Sequence, residues 1–593
     1  MCGPLVAGGA SAVSTAASLT SRASSRYGDR VSISHYNNHA EAPPLTLSGH
    51  AGRHALAVAE AHGVGTLWTL SGAHVFPLYD AAVQSESGTR IVDVRHEQTA
   101  VFGAEATAKL TRDPGMAVLT AGPGVTNGVS GVAQAHFSGV PLLALGGRAP
   151  ATRWGTGALQ ELDHPPVFAP ITKYASTAAT AGDVAGTVDH ALATARSAHR
   201  GPVFVDVPMD ELYSHADTEL AVTGPQQRPE PDPAELSSVA GILATAQRPV
   251  VVLGSDVWLD GAEQAARRFA DETGIPVITN GMGRGLLPSG HRLLVNRARS
   301  TAFGRADVVL VVGTPLDFRL GFGTFGGGDG AAPARVVHLA DSPAQLTTHV
   351  ELAAHATGDL SAVLDGVLDS YTEATRHVDH GDWTRRLHDQ VSAALERDRA
   401  LLTADADPIH PARVYGELNA LLDDDAVIIG DGGDFVSWAG KFIEPGRPGC
   451  WLDPGPYGCL GAGVGAAAAA RLARPDSQVV LLYGDGAAGM SLMDVDTLVR
   501  HGLPVVMIVG NNGAWGLEKH PMRFLYGYDV AADLRAQTGY DDVVRALGGA
   551  GETVTAPGQI APALRRAFDS GVPYLVNVQC DPEIAYPRST TGI

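Results

Sequence analysis

Residues 478–512 read QVVLLYGDGAAGMSLMDVDTLVRHGLPVVMIVGNN and contain two short apolar runs, each ending in small polar residues. Apolar, β-branched runs of this length that stop at Gly, Asp or Asn are typical of buried strands in a parallel sheet. Open α/β sheets bind ligands in the crevice beyond the carboxyl ends of their strands. The stretch therefore predicts an α/β domain with a binding site at residues 484–486 and 511–512.

The same alternation of strand-like and helix-like segments continues over most of the 593 residues, a length too great for one hydrophobic core. We expect three α/β domains, each with a doubly wound parallel sheet. The Pro-rich, charged segment QQRPEPDP at 226–233 is a linker between the first two. The predicted ranges are 1–48 for a disordered N-terminal extension, 49–220 for the first domain, 233–370 for the central domain and 405–593 for the third domain.

The composition excludes several classes of function. A formal net charge of −21 repels phosphate backbones and anionic lipids, so we expect neither nucleic-acid nor membrane binding and favour a small-molecule substrate. The chain has no apolar run of the roughly 18 residues that a membrane helix needs, and no charged leader typical of a signal peptide. Its cysteines, Cys2, Cys450, Cys459 and Cys580, are scattered, which argues against disulfides and zinc and favours the cytoplasm.

The two strand ends in residues 478–512 carry oxygen ligands. Asp485 and Asn512, together with a backbone carbonyl near Ala514, would suffice for Mg²⁺, which takes few protein oxygens and leaves the rest to phosphates and water. Gly486 leaves room for a diphosphate to approach backbone N–H groups. Taken alone, a helix N-cap at Asp485 and an Asx turn at Asn512 would explain the same residues.

GDG at 484–486 followed by NN at 511–512 resembles the signature of thiamine-diphosphate enzymes. RHEQTAVFGAEATAK at 95–109 places Glu97 where this family carries a Glu after a first-domain strand. TAGPGVTN at 120–127 and GPVFVDVPMD at 201–210 resemble two further family segments. The resemblance covers residues 47–587 and implies a pyrimidine-binding first domain and a third domain that binds the diphosphate and Mg²⁺.

The resemblance gives Glu97 a catalytic role. Thiamine must lose a proton from carbon 2 of its thiazolium ring, and its own aminopyrimidine accepts that proton when a carboxyl group hydrogen-bonds the distal pyrimidine nitrogen. Glu97 stands among Ala, Val and Phe, so we expect it to be desolvated and suited to share a proton. The competing interpretation is a structural salt bridge to Arg95 or Lys109.

DPGPYGCLGAGVG at 453–465 resembles the segment that wraps the bent cofactor, with Leu460 as an apolar wedge and the Gly458 carbonyl as a hydrogen-bond acceptor. DGGDF at 431–435 would flank the diphosphate. The implied cofactor-binding residues are Gly72, Gly122, Asn127, Gly432, Asp434, Phe435, Gly458, Leu460, Gly484, Gly486, Ala487, Trp515 and Gly516. In this family the cofactor lies between the first domain of one chain and the third of its partner, so a dimer is the minimum unit and a tetramer is expected.

Two activities compete within the family. In an acetolactate synthase, pyruvate loses CO₂ and the remainder is joined to a second 2-oxo acid, whereas oxalyl-CoA decarboxylases and 2-hydroxyacyl-CoA lyases cleave an acyl-CoA. The overall order and Gln160 near ELDHPP at 161–166 resemble the synthases, while GMGRGLLPSGH at 281–291 and MSLMDVDTLVRH at 490–501 resemble the lyases. We favour a carboligase, because Leu517 keeps an aliphatic side chain where synthases carry Met.

TPLDFRLGFG at 314–323 keeps only Asp317 and Arg319 of the flavin segment of synthases, and Pro315 replaces its first Arg, so FAD is not expected. ADP or CoA stays open as a ligand of the central domain. The candidate substrate residues are Gln160, Leu517, Glu518 and Pro521. Pro521 stands where synthases carry a Trp that selects 2-oxobutyrate, so we expect little discrimination between acceptors.

Two alternatives come from other classes. A catalytically silent, cofactor-binding regulatory subunit is disfavoured because Glu97, Asp485 and Asn512 are all retained. A Rossmann dehydrogenase is weaker still, since no GxGxxG follows the first strand of any domain. The sequence leaves the donor, the acceptor and any regulatory subunit open.

Overall fold

The computed structural model describes residues 43–85, 88–224, 226, 228–374 and 379–587. These residues form three α/β domains, each built on a parallel sheet, which confirms the predicted fold class. Most of the predicted N-terminal extension, residues 1–42, lies outside the described residues.

The first domain combines a parallel sheet with a short antiparallel ribbon. Its strands are β1 (Leu45–His50), β2 (Thr66–Thr69), β3 (Arg90–Asp93), β4 (Gly115–Leu119), β5 (Leu142–Arg148), β6 (Tyr174–Thr177), β7 (Pro202–Pro208) and β8 (His215–Leu220). Its helices are α1 (Ala51–Ala61), α2 (Phe76–Gln84), α3 (Glu97–Thr111), α4 (Pro123–Thr126), α5 (Val129–Phe137), α6 (Pro165–Phe168), α7 (Val184–Arg196) and α8 (Met209–Tyr213). The sheet order is β3-β2-β4-β5-β7-β6.

Strand β1 begins inside the range that we expected to be a disordered extension. It pairs antiparallel with β8 from Leu45 opposite Leu220 to His50 opposite His215, and Leu47 is buried. Pairing of this kind satisfies the backbone N–H and C=O groups of both strands. The ribbon thus joins the two ends of the first domain.

The central domain has strands β9 (Pro249–Leu253), β10 (Val277–Thr279), β11 (Val308–Val312), β12 (Arg335–Ala340) and β13 (Leu352–Thr357) in the order β10-β9-β11-β12-β13. Its helices are α9 (Pro233–Ala244), α10 (Ser255–Leu259), α11 (Glu263–Thr273), α12 (Arg299–Arg305) and α13 (Leu360–Ala374). The polar helix α14 (Gly381–Leu402) then leads to the third domain.

The third domain has strands β14 (Val427–Asp431), β15 (Trp451–Leu452), β16 (Val479–Gly484), β17 (Val506–Asn511), β18 (Ala550–Val554) and β19 (Tyr574–Gln579) in the order β15-β14-β16-β17-β19-β18. Its helices are α15 (Pro411–Asn419), α16 (Asp434–Phe442), α17 (Gly463–Ala473), α18 (Asp485–Ser491), α19 (Val495–Arg500), α20 (Gly516–Tyr526), α21 (Tyr540–Ala546) and α22 (Ile560–Asp569).

The six-stranded sheets of the first and third domains share one topology. In each, the first strand pairs with the second on one side and with the third on the other, so the strand order reverses between β2 and β4 and between β14 and β16. Such a switch point opens a crevice at the carboxyl ends of the strands, where ligands bind. Gly72 and Gly122 follow the strands at one switch point, and Gly432 and Gly484 lie at the other.

The first and third domains meet where α17 packs on α3. A Cβ atom on Gly465 would lie 2.8 Å from the Thr99 carbonyl oxygen and 2.9 Å from the Gly103 amide nitrogen, so only glycine permits this approach. Asp494 of the third domain adds a polar contact: its buried carboxylate accepts hydrogen bonds from the Arg95 amide at 2.7 Å and the Thr99 hydroxyl at 2.6 Å. The start of α3 is thereby fixed from the third domain.

Two findings bear on expectations from composition. None of the helices in the described part of the chain is long and apolar enough to cross a membrane. Cys450, Cys459 and Cys580 carry free thiols.

We expect Gly465→Ala to lower the free energy of unfolding by about 1–3 kcal/mol, because the added methyl group meets backbone atoms that cannot turn aside. Gly186→Ala in α7 is the matched control, since its Cβ would meet nothing within 4 Å and alanine favours helix by up to about 1 kcal/mol. Calorimetric melting of both variants checks this, and equal midpoints would contradict the close contact.

Candidate functional site

A cavity of about 540 Å³ opens between the third and central domains. The residues predicted from the third domain line it, with the exception of Pro521. They are Gly432, Asp434, Phe435, Gly458, Leu460, Gly484, Asp485, Gly486, Ala487, Asn512, Ala514, Trp515, Gly516, Leu517 and Glu518. Pro521 lies one turn further along α20, outside the lining formed by the described residues.

Three helices of the third domain begin at this cleft: α16 at Asp434, α18 at Asp485 and α20 at Gly516. The first turn of a helix carries unpaired N–H groups and a partial positive charge, so convergent helix starts favour an anion. The arrangement suits a diphosphate better than a neutral ligand.

Glycines keep the cleft open at its base. A Cβ on Gly432 would lie 2.7 Å from the Gly484 amide nitrogen, and one on Gly486 would lie 2.6 Å from the Trp515 ring. Gly432 also has a φ of +148°, which side chains rarely adopt. The absence of side chains at these two positions leaves a groove between the strand ends and the Trp515 ring.

Asp485 links the ends of β16 and β17. Its carboxylate accepts hydrogen bonds from the Gly486 amide at 2.9 Å and the Gly513 amide at 2.7 Å, and the N-cap of α18 is Gly484 rather than Asp485. Burial raises the pKa of Asp485 to about 6, although these backbone N–H groups act in the opposite direction. A bound cation would stabilise the charged form of this carboxylate.

Asn512 follows β17 and lines the same cleft. Its side-chain oxygen accepts a hydrogen bond from the Ala514 amide at 3.2 Å, which is the Asx turn expected from the local sequence. Among the described residues no group of three or more His, Cys, Asp and Glu could hold a metal. A cation beside Asp485 and Asn512 would therefore need further oxygens from a phosphate, from water or from backbone carbonyls.

Asp431, named from the sequence only as the first residue of DGGDF, fixes the glycine-rich segment at 453–465. Its fully buried carboxylate accepts hydrogen bonds from the Gly461 amide at 3.0 Å and the Gly463 amide at 2.7 Å. Burial raises the pKa of Asp431 to about 6, against the effect of these two N–H groups. Its position at the end of a predicted strand could have marked Asp431 as a candidate site residue. Its hydrogen-bond partners could not be predicted, because they lie about thirty residues away in sequence.

Glu97 belongs to a second group of predicted residues, at the switch point of the first domain. It is the first residue of α3, it is 8% exposed, and its Oε2 accepts a hydrogen bond from the Asn127 side chain at 3.0 Å. The salt-bridge interpretation of Glu97 finds no support, since Arg95 pairs with Asp496 and Lys109 with Glu105.

The other first-domain residues surround the same point. A Cβ on Gly72 would lie 2.1 Å from the Thr120 hydroxyl oxygen, and one on Gly122 would lie 2.8 Å from the Gln160 Cβ. His164, a buried residue not selected from the sequence, joins the Gly122 amide at 3.0 Å to Asp206 at 2.8 Å. It orients the turn between β4 and α4.

The two groups of predicted residues do not line one cleft within the described part of a single chain. Gly72, Glu97, Gly122, Asn127 and Gln160 all lie outside the cleft lining that the described residues form. The opposite wall of the cleft comes from the central domain, and it contains Arg284, Arg299, Phe318 and Arg319. Of these, only Arg319 was noted from the sequence, and then as part of a flavin segment.

Three family models match the chain. Residues 50–167 match the thiamine pyrophosphate enzyme N-terminal TPP binding domain, residues 236–367 its central domain, and residues 431–578 its C-terminal TPP binding domain. The acetolactate synthase large subunit of Mycobacterium tuberculosis is 51% identical over 550 residues, covering 92% of this chain and 98% of that protein. The chain belongs to the thiamine pyrophosphate enzyme family. The resemblance recognised in the sequence is thus confirmed.

Other relatives carry a different name. The 2-hydroxyacyl-CoA lyase 2 of Bos taurus is 33% identical over 574 residues, covering 89% of this chain and 90% of that protein, and the human protein of the same name is also 33% identical. As a member of the family, this chain is an enzyme that makes or breaks a carbon–carbon bond with thiamine diphosphate. The glycine-walled groove and the convergent helix starts fit that cofactor.

We expect Gly486→Ala to weaken thiamine diphosphate binding at least about tenfold, because the methyl group would displace the Trp515 ring into the groove. Gly489→Ala in the same helix is the control, since its Cβ would meet nothing within 4 Å. Calorimetric titration with thiamine diphosphate checks both, and unchanged affinity of Gly486→Ala would place the cofactor elsewhere.

Proposed function

We propose that the chain is a thiamine-diphosphate- and Mg²⁺-dependent carboligase of 2-oxo acids. One 2-oxo acid loses CO₂, and a carbon–carbon bond forms between its carbonyl carbon and the carbonyl carbon of a second 2-oxo acid. The acceptor oxygen takes up a proton and becomes a hydroxyl, while the donor carbon is again a carbonyl in the product. The observation that carries the proposal is the 51% identity, over 92% of the chain, to the mycobacterial acetolactate synthase large subunit.

The third domain would hold the charged end of the cofactor. Asp485, Asn512 and the Ala514 carbonyl offer the few oxygens that Mg²⁺ takes from protein, and the diphosphate would complete its coordination. Backbone N–H groups at the starts of α16, α18 and α20 would bind the phosphate oxygens. Leu460 and the Gly458 carbonyl, on the segment tethered by Asp431, would contact the organic part.

Glu97 would hold the proton that activates the cofactor. Thiamine diphosphate supplies a nucleophilic carbon that adds to the substrate carbonyl and accepts the electrons of the bond that breaks. The Asn127 side-chain amide donates a hydrogen bond to Oε2 of Glu97. A Cβ at Gly124 would lie 3.2 Å from the other oxygen, Oε1. The absence of a side chain at Gly124 keeps Oε1 open to a ring nitrogen of the cofactor.

The active unit would be at least a dimer, with the Glu97 group of one chain facing the Asp485 cleft of the other. This is supported by the separation of the two groups within a chain. It is also supported by exposed apolar side chains from both domains, including Phe137 and Tyr457, whose rings stack at 5.1 Å, and Met490 and Met493. A tetramer rests on the family resemblance alone, and we place the enzyme in the cytoplasm.

Cleavage of a 2-hydroxyacyl-CoA or oxalyl-CoA is the second candidate, and the 33% identity to 2-hydroxyacyl-CoA lyase 2 favours it. At the switch point of the central sheet, between β9 and β11, a Cβ on Gly254 would lie 2.2 Å from that of Thr314. The loops that follow β9 and β11 touch at this point. The contact therefore argues against a nucleotide there, such as ADP or the adenosine end of CoA. The expectation that FAD is missing stays a prediction.

Mass spectrometry of products will distinguish the candidates when the enzyme is offered pyruvate, 2-oxobutyrate, oxalyl-CoA and a 2-hydroxyacyl-CoA in parallel. We expect acetohydroxy acids from the 2-oxo acids, because the chain is closer to the synthase than to the lyase over nearly its whole length. Release of formyl-CoA without any acetohydroxy acid would reject the carboligase.

We expect Glu97→Gln to keep thiamine diphosphate bound but to slow proton exchange at its carbon 2 by about 10²–10⁴-fold, as is typical for loss of general acid–base help. The amide can still hydrogen-bond but cannot share a proton. Deuterium incorporation followed by NMR measures the rate. An unchanged rate would remove Glu97 from the mechanism.

Mixing Glu97→Gln chains with Asp485→Ala chains tests whether each site is shared between two chains or built within one. If each site uses Glu97 of one chain and Asp485 of the other, random exchange gives one intact site in half of the dimers and so restores roughly a quarter of wild-type activity. No recovery after confirmed subunit exchange would mean that one chain supplies both residues.

A further inference from the structure

His164 lies at the end of segment 149–164, which connects β5 to α6 in the first domain. Its side chain is fully buried and has a partner at each ring nitrogen. Nε2 lies 3.0 Å from the Gly122 amide nitrogen, and Nδ1 lies 2.8 Å from the Asp206 carboxylate. The ring therefore joins the turn after β4 to strand β7.

These partners allow only one tautomer of the neutral ring. A backbone amide can donate a hydrogen bond but cannot accept one, so Nε2 must be the acceptor and must carry no proton. The ring proton then lies on Nδ1 and is donated to Asp206. The other tautomer would direct two N–H groups against each other and leave the buried Gly122 amide without its acceptor.

Asp206, the partner that fixes this tautomer, is itself held by two neighbouring strands. Its fully buried carboxylate accepts hydrogen bonds from the Thr177 hydroxyl of β6 at 2.5 Å and from the Arg148 guanidinium of β5 at 3.1 Å. Arg148 also balances the negative charge of the carboxylate. The position of His164 is thus set by the sheet of the first domain.

The Gly122 amide connects this network to Glu97. Gly122 is the N-cap of α4, a helix of about one turn that contains Gly124 and ends at Asn127. The Asn127 side chain donates to Oε2 of Glu97, and the missing side chain at Gly124 leaves Oε1 open. Because α4 is so short, a change at its first residue displaces both contacts to Glu97.

The segment that carries His164 also carries Gln160. A Cβ on Gly122 would lie 2.8 Å from the Gln160 Cβ and 3.0 Å from the Gln160 carbonyl oxygen. Gln160 has a φ of +60°, and a residue other than glycine keeps such a conformation only where its surroundings impose it, as they do at many binding sites. The hydrogen bond from Gly122 to His164 holds the Gln160 segment against this turn.

We propose that His164, kept by Asp206 in the tautomer with its proton on Nδ1, is a positioning residue for Glu97 and for the Gln160 segment. It acts through the Gly122 amide, because its ring is fully buried. Loss of the acceptor leaves a buried N–H group unsatisfied, which the turn can relieve only by moving. The inference rests on the proposed function, in which Glu97 activates the cofactor.

The test compares His164→Gln with His164→Asn in the full-length holoenzyme. Glutamine carries an oxygen near the position of Nε2 and an NH₂ group that can donate to Asp206, whereas the shorter asparagine reaches only Asp206. Deuterium incorporation followed by NMR gives the rate of proton exchange at carbon 2 of bound thiamine diphosphate. Calorimetry gives the melting midpoint and the affinity for the cofactor.

We expect His164→Asn to slow this exchange by about 10–10²-fold, as a small displacement of a reacting group does, and His164→Gln to stay close to wild type. With pyruvate as donor, the KM for 2-oxobutyrate should follow the same order, since it reports on the Gln160 segment. His190→Asn, at an exposed histidine of α7, is the control and should change neither quantity. A purely structural role of His164 would instead lower the melting midpoint without this difference between the two variants.

Equal exchange rates in His164→Gln and His164→Asn, whether normal or slow, overturn the positioning role. If His164→Asn does not fold, the tautomer decides. ¹⁵N NMR of histidine-labelled wild type, with His164 assigned by its loss in His164→Gln, should show the proton on Nδ1, and a proton on Nε2 overturns the assignment. A wild type that exchanges carbon 2 but forms no acetohydroxy acid rejects the carboligase, while the exchange rates of the two variants still decide the role of His164.

Discussion

The contact between α17 and α3 is the constraint on which the rest of the structure depends. Because Gly465 lets the helix backbones touch at Thr99 and Gly103, the first and third sheets of a chain share one continuous core. Helix α3 begins with Glu97, and α17 follows directly on the glycine-rich segment that Asp431 tethers. One packing contact therefore sets the positions of Glu97 and of the segment proposed to wrap the cofactor.

The same contact explains why a single chain is an incomplete enzyme in our proposal. It joins the two sheets through helices and leaves their switch points as separate sites, one with Glu97 and one with Asp485. Asp494 extends this coupling, since it fixes the backbone before Glu97 from the third domain.

The sequence was most informative where function depends on neighbours along the chain. Strand ends followed by Gly, Asp or Asn correctly indicated three parallel sheets, and the residues chosen around Asp485 and Asn512 line one cleft, because strands next to each other in such a sheet end at the same edge. The edge strands β15 and β18 were not predicted. Strand β15 has only two residues and β18 has a polar face, so neither shows a periodic apolar pattern. The partners of Asp431 and Glu97 were also beyond reach, because their hydrogen bonds join residues about thirty positions apart.

The central-domain arginines of the cleft show a further limit, since their pairing is a property of the tertiary structure. Arg284, Arg299 and Arg319 are equivalent in a sequence. Only the folded chain shows that Arg319 pairs with Asp317, Arg284 with the Gly440 carbonyl and Arg299 with the Arg319 carbonyl. Asp485 is likewise bound across two strand ends, by the Gly513 amide beyond β17, and its burial raises its pKa to about 6. A sequence thus names the charged residues of a cleft, whereas their partners follow from the fold.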